Sequence, residues 1–112
     1  MDKQIFQRHA EFCQTLANPT RLEILSHLRD GEKCVGELVA LTQVSQANIS
    51  QHLALLRSKG LLTTRREGTS IYYRIANPKI IHACDLIRQV LIEQAAEHAQ
   101  VVGAKTVARS RQ

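Results

Sequence analysis

The chain has 112 residues, an ordinary apolar content of 44%, only 4% aromatics and a formal net charge of +5. That length fits one domain with a small core, to which oligomerisation would add stability. With no run of about 18 apolar residues and an N-terminus (MDKQIFQRHAEF) that lacks an apolar signal core, neither a membrane span nor a secretory leader is expected, and the cytoplasm is the expected compartment.

The charge is unevenly placed. Residues 1–44 hold five Lys and Arg against six Asp and Glu, whereas residues 45–112 hold ten against four. A basic second half suits a polyanionic partner. Three cysteines, Cys13, Cys34 and Cys84, are odd in number and widely spaced, so reduced thiols are expected rather than a disulfide framework.

In chain order, Gln4 to Leu16 places Ile5, Phe6, His9, Phe12, Cys13 and Leu16 at helical spacing, which predicts a first helix. Asn18-Pro19 predicts an N-cap and first helical position for a second, running to about Arg29 with a stripe of Leu22, Leu25 and Leu28. Asp30 to Lys33 reads as a turn, with Gly31 as a left-handed C-terminal cap. A third helix is expected from Val35 to Leu41 and a fourth from Ser45 to Ser58, with Ser45 as its N-cap and Gly60 ending it. Leu61–Arg66 and Ser70–Ile75 are rich in strand formers and are joined by a Glu67-Gly68-Thr69 tip. Asn77-Pro78 opens a last helix reaching to near Ala99. Residues 4–99 are therefore read as one winged helix-turn-helix domain, and residues 100–112 as a basic, flexible tail. The fold class is mostly α with a small β-hairpin wing. The first and last helices lack a place to bury their apolar faces, and a second copy would supply one.

The fourth helix carries the chemistry. Ile49, Leu53 and Leu56 form its apolar stripe, and the residues between them are small or amide-bearing, with no charge before Arg57. Uncharged donors and acceptors on an outer face can press against base edges. Gln46, Ala47, Ser50 and Gln51 are the candidates for that contact, with Ser45 as a cap that also meets phosphate. His52, beside the stripe, suits packing or a phosphate contact better than a metal. From Arg57 to Arg74 the chain carries +4 over eighteen residues. Arg57, Arg65, Arg66 and Thr69 are the candidate backbone or minor-groove contacts. Strand residues alternate faces, so Arg65 and Arg66 cannot share a groove, which leaves one for a structural role.

These motifs resemble the ArsR/SmtB family of bacterial winged-helix repressors. The phrases that carry the resemblance are LANPTRLEIL (16–25), EKCVGEL (32–38), VSQANISQHLALLRSKGLL (44–62) and TRREGTSIYYRI (64–75), within a match from Phe12 to Glu93. The resemblance implies a homodimer that binds double-stranded operator DNA and is released by an inducer. Relatives that sense soft metals or arsenite use a Cys-Val-Cys pair, of which Cys34-Val35-Gly36 retains half. The zinc positions of other relatives correspond to Asn77, Lys79, Val90 and Glu93, and a sulfide-sensing cysteine pair to Ser26 and a position near Ile92, so both sites look lost.

Cys13, Cys34 and Cys84 remain as candidate sensors. Cys34, at a helix N-terminus, is either a reactive thiol or a small half-buried motif residue. Cys13 and Cys84, on apolar stripes, read first as buried and inert. Cys34 with Cys13 of the partner subunit could form a soft-metal, metalloid or thiol-redox site. No resident cofactor is expected. His82 with Asp85, and Glu97 with His98, read as solvated faces rather than a metal site. No nucleophile elbow, phosphate loop or HExxH is present, so no enzyme is expected. The alternative is a winged helix that binds DNA without an inducer, or binds protein, its cysteines inert.

Overall fold

The computed structural model describes residues 2–110, with side chains described as far as Val101. It divides into two compact units, residues 1–78 and 79–112.

The first unit contains α1 (Lys3–Leu16), α2 (Pro19–His27), β1 (Lys33–Cys34), α3 (Val35–Thr42), α4 (Gln46–Ser58), β2 (Leu62–Glu67) and β3 (Ser70–Ile75). Side-chain caps start three of its helices. Asp2 accepts from the Gln4 N–H at 3.2 Å, Asn18 from Arg21 at 3.1 Å and Ser45 from Asn48 at 3.3 Å. Each satisfies a backbone donor that a helix start leaves open. Pro19 occupies the first turn of α2, where its missing N–H is no loss.

Two helix ends differ in mechanism. The chain leaves α4 through Gly60 at φ 81°, with Gly60 N–H donating to Arg57 O at 3.0 Å and Leu61 N–H to Leu56 O at 2.9 Å. This paired closure is a Schellman motif, and it sends Leu61 and Leu62 back under the helix into the core. Gly31 does not cap α2 as expected. The cap is Leu28 in the right-handed region, and Gly31 lies three residues beyond it, donating to Leu28 O at 3.3 Å.

The core of this unit is Ile24, Leu25 and Leu28 from α2, Leu38 from α3, Ile49, Leu53 and Leu56 from α4, and Leu61 with Leu62. The three α4 residues are the stripe that periodicity selected. The sheet has three strands, ordered β1-β3-β2, all antiparallel. β1 was not expected. It is two residues long, too short to show a period, and it exists because Lys33 and Cys34 lie opposite Tyr73 and Tyr72. Between β2 and β3, Gly68 (φ 60°) takes the first position of a two-residue turn.

The second unit is one helix, α5 (Lys79–Ser110). It runs past Ala99, where the sequence reading ended it, because Gly103 alone lowers helix propensity without breaking a helix and no proline follows. The side chains of the expected basic tail from residue 102 lie outside the described residues. On α5, Ile81 and Cys84 are buried, while Leu86, Ile87, Val90, Leu91 and Ile92 are each at least half exposed. Among the described residues no helix is long and apolar enough to cross a membrane.

Candidate nucleic-acid interface

The turn between α3 and α4 is three residues, Gln43 to Ser45. Gln43 adopts the left-handed conformation at φ 61° and returns its side-chain Nε2 to Ala40 O at 2.8 Å. Thr42 Oγ1 donates to Leu38 O at 2.7 Å and accepts the Val44 N–H at 3.2 Å. These bonds hold the break between the two helices, and Ser45 then restarts the chain as the cap of α4.

On α4, Ile49, Leu53 and Leu56 are fully buried, whereas Gln46, Ala47, Ser50, Gln51, Ala54 and Arg57 are all exposed. At about 100° per residue, Ala47, Ser50, Gln51 and Ala54 form one face opposite the stripe. Gln46 adds an amide at the first turn. The face is shallow and uncharged, and it ends at Arg57.

His52 is set back from this face. Its Nδ1 accepts from Arg21 Nε of α2 at 3.2 Å, and Arg21 Nη1 donates to the Thr15 carbonyl at the end of α1 at 3.1 Å. Burial, and next the Arg21 charge, push the His52 pKa below its ordinary value. Sequence reasoning missed Arg21 altogether, because nothing in the pattern marks a partner 31 residues away.

The wing separates its two arginines. Arg65 lies opposite Tyr72 and Arg66 opposite Ile71, so they occupy different faces of the sheet. Arg65 Nε donates to both Glu32 carboxylate oxygens, at 3.1 and 3.2 Å, and its Nη1 reaches Glu67 at 3.1 Å. Its guanidinium also stands 4.9 Å from the centre of the Tyr72 ring. Hydrogen bonds to Glu32 and then Glu67 raise the Arg65 pKa, and the bond from Arg65 lowers that of Glu32. Arg66 is exposed and makes no ion pair among the described residues, and Thr69 is exposed at the tip.

The three thiols are differently placed. In the single chain Cys34 is half-buried, Cys84 is buried and Cys13 is exposed on α1. Cys34 N-caps α3, and its backbone N–H donates to Glu37 Oε1 at 3.1 Å. That bond lowers the Glu37 pKa, so the helix start already holds an anion. Among the described residues no group of three His, Cys, Asp or Glu side chains could hold a metal ion. Asp85 pairs with Arg88 at 3.4 Å, and His82, Glu97 and His98 are exposed.

A helix capped after a short turn, seated by an apolar stripe and accompanied by an arginine-bearing hairpin, defines a winged helix-turn-helix. The family model described as "Bacterial regulatory protein, arsR family" matches residues 18–64. The regulator Rv0081 of Mycobacterium tuberculosis is 34% identical over 99 residues, covering 88% of this chain and 87% of that protein. Its crystal structure superposes with a TM-score of 0.78 at 33% identity, over 88% of this chain and 99% of that one. A transcriptional repressor SmtB homologue of Synechocystis is 39% identical over 94 residues, 84% of this chain and 65% of that protein. The solution structure of Mb0332 from Mycobacterium bovis, a homodimeric winged helix-turn-helix DNA-binding domain, gives a TM-score of 0.73 at 35% identity, over 83% of this chain and 88% of that one.

The chain belongs to the ArsR family of bacterial transcriptional regulators, which are DNA-binding proteins and not enzymes.

Proposed function

We propose that this regulator is a homodimeric repressor that holds operator DNA through α4 and the wing and releases it when an inducer arrives. The observation that carries this reading is the exposed, uncharged α4 face of Gln46, Ala47, Ser50 and Gln51. In a major groove, glutamine amides pair with adenine and the Ala47 methyl meets thymine methyls. Ser45, Arg57, Arg66 and Thr69 serve the phosphate backbone. Arg65, committed to Glu32 and Glu67, braces the wing instead. His52 braces α4 rather than the DNA.

The homodimer reading draws on the Mb0332 domain and on apolar side chains that the described chain leaves in water. These are Ile5 and Phe6 on α1, and Leu86, Ile87, Val90, Leu91 and Ile92 on α5. A Leu91→Glu chain should sediment as a monomer and lose operator affinity.

For the signal, we propose a thiol-reactive inducer, a soft metal ion, metalloid, oxidant or reactive sulfur species, received by Cys34 with Cys13 of the partner subunit. Cys13 is exposed and Cys34 half-buried, so both are reachable, whereas buried Cys84 plays a lesser part. Such a site must be built across two copies. A second reading, an inducer-independent regulator with inert cysteines, draws on the Glu37 carboxylate beside Cys34, which opposes a second negative charge there. A duplex selected by the protein from a random pool, titrated with zinc, arsenite, polysulfide and peroxide, separates the two. Release that disappears in Cys13→Ser and Cys34→Ser supports the sensor. No release by any agent supports the second reading, and release that persists in both variants overturns the Cys13–Cys34 site.

A further inference from the structure

The Arg21–His52 bond has a fixed polarity. An arginine Nε–H only donates, so His52 Nδ1 must be the acceptor, and the imidazole is neutral with its proton on Nε2. The bond joins three elements. Arg21 stands on α2, His52 stands at the middle of α4, and the Arg21 Nη1 bond reaches the last turn of α1 through Thr15 O. Beyond its apolar stripe, α4 is seated by this link, one residue from Gln51 of the reading face.

We propose that Arg21 and His52 form a proton-sensitive latch on the reading helix, closed when His52 is neutral and opened when it is protonated. A proton on Nδ1 removes the acceptor and sets an imidazolium against the guanidinium. Arg21 cannot yield its proton, so the bond must break. Arg21 and His52 are thus positioning residues for DNA recognition, acting through the seat of α4 and not through contact with a base.

The surrounding charges do not offset this. On α2, Glu23 and His27 are paired to each other at 3.6 Å. On α3, Glu37 is held at the Cys34 N–H. On β2, Arg65 and Glu67 are engaged together, and Arg66 adds a further positive charge. On α1 the charged groups are Lys3, Arg8, His9 and Glu11, and α4 itself contributes Arg57. Of all these groups, only Arg21 bears on the His52 charge. Burial and Arg21 both disfavour the protonated form, so the latched state binds fewer protons than the open one. The sign is fixed by that difference. The latch is fully closed above the ordinary histidine value of about 6.5, weakens below it, and opens as pH falls through the lower value of the latched state.

The proposal rests on the operator-binding reading for its consequence, so its test has one arm without DNA. In nitrogen-detected NMR of the whole chain, His52 should carry its proton on Nε2 at neutral pH, and its titration should move to higher pH in Arg21→Met. A proton on Nδ1, or a titration indifferent to Arg21→Met, would overturn the latch. In the second arm, affinity for the selected duplex is measured at about pH 7.5 and about pH 5.5, either side of the histidine range. Other groups also titrate, so the readout is the ratio of the two affinities in wild type against His52→Asn. The asparagine retains an acceptor near the Nδ1 position and does not ionise. Wild type should lose about three- to tenfold more affinity in acid than His52→Asn, the effect expected of one net hydrogen bond. Equal ratios would overturn the coupling. So would wild type tightening in acid relative to His52→Asn, the sign of an imidazolium resting on phosphate. If no duplex is retained at either pH, the operator-binding reading fails, and the NMR arm separates that from failure of the latch.

Discussion

Arg65 and Arg66 are neighbours in sequence and stand on opposite faces of the wing. Arg65 is spent on Glu32, Glu67 and the Tyr72 ring, while Arg66 has no ion pair among the described residues. Their substitutions should separate accordingly. Arg66→Ala should weaken duplex binding across sequences and flatten the dependence of log affinity on log salt by about one unit. Arg65→Ala should leave that slope nearly unchanged and lower the melting temperature slightly, since its partners are solvent-exposed. Affinities at several salt concentrations, with thermal melts of both variants, check this. Equal slope changes would contradict the division of roles.

Gly60 closes α4 at φ 81° between two buried leucines, Leu56 and Leu61. A side chain in the left-handed region costs about 1–2 kcal/mol. Gly60→Ala should therefore reduce stability by about that amount, read as a lower urea midpoint with an unchanged slope. Gly36→Ala, inside α3 with no positive φ and open space for the added Cβ, is the control that should show no such loss.

Glu37 and Glu32 both have pKa values held below the ordinary glutamate value, Glu37 by the Cys34 N–H and Glu32 by Arg65. A depressed carboxylate contributes stability that is present above its unfolded pKa, about 4.3, and is lost as pH falls through the lower folded value. Urea unfolding of wild type should weaken over that acid window. Glu37→Gln should be less stable near neutral pH and show a shallower acid loss. An unchanged acid profile would mean that the Glu37 bond to the start of α3 contributes nothing.

Much of the reading helix was legible because its signals are local. Ile49, Leu53 and Leu56 show their period within two turns, Ser45 is a recognisable cap, and Gly60 follows the last helical turn. The expected α3 and hairpin follow from equally short patterns. What escaped has its cause far along the chain. β1 depends on Tyr72 and Tyr73, nearly forty residues later. The Arg21–His52 bond spans 31 residues, and no periodicity reports it. Gln43 falls in the gap between the expected third and fourth helices, and its role escapes notice because a left-handed glutamine lacks the signature that a glycine would give. Cys13 lies on α1 with Phe6, and both are exposed in the single chain, so whether Cys13 is buried depends on a second copy, which no local pattern reports.

The central claim is that α4 reads base edges through Gln46 and Gln51. The most direct test is competition between a duplex selected by the wild-type protein and scrambled duplexes, for wild type, Gln46→Ala and Gln51→Ala. Each alanine variant should lose about 1–3 kcal/mol of discrimination between selected and scrambled sequence while retaining non-specific binding. Undiminished discrimination in both variants would contradict the claim and place sequence reading elsewhere in the protein.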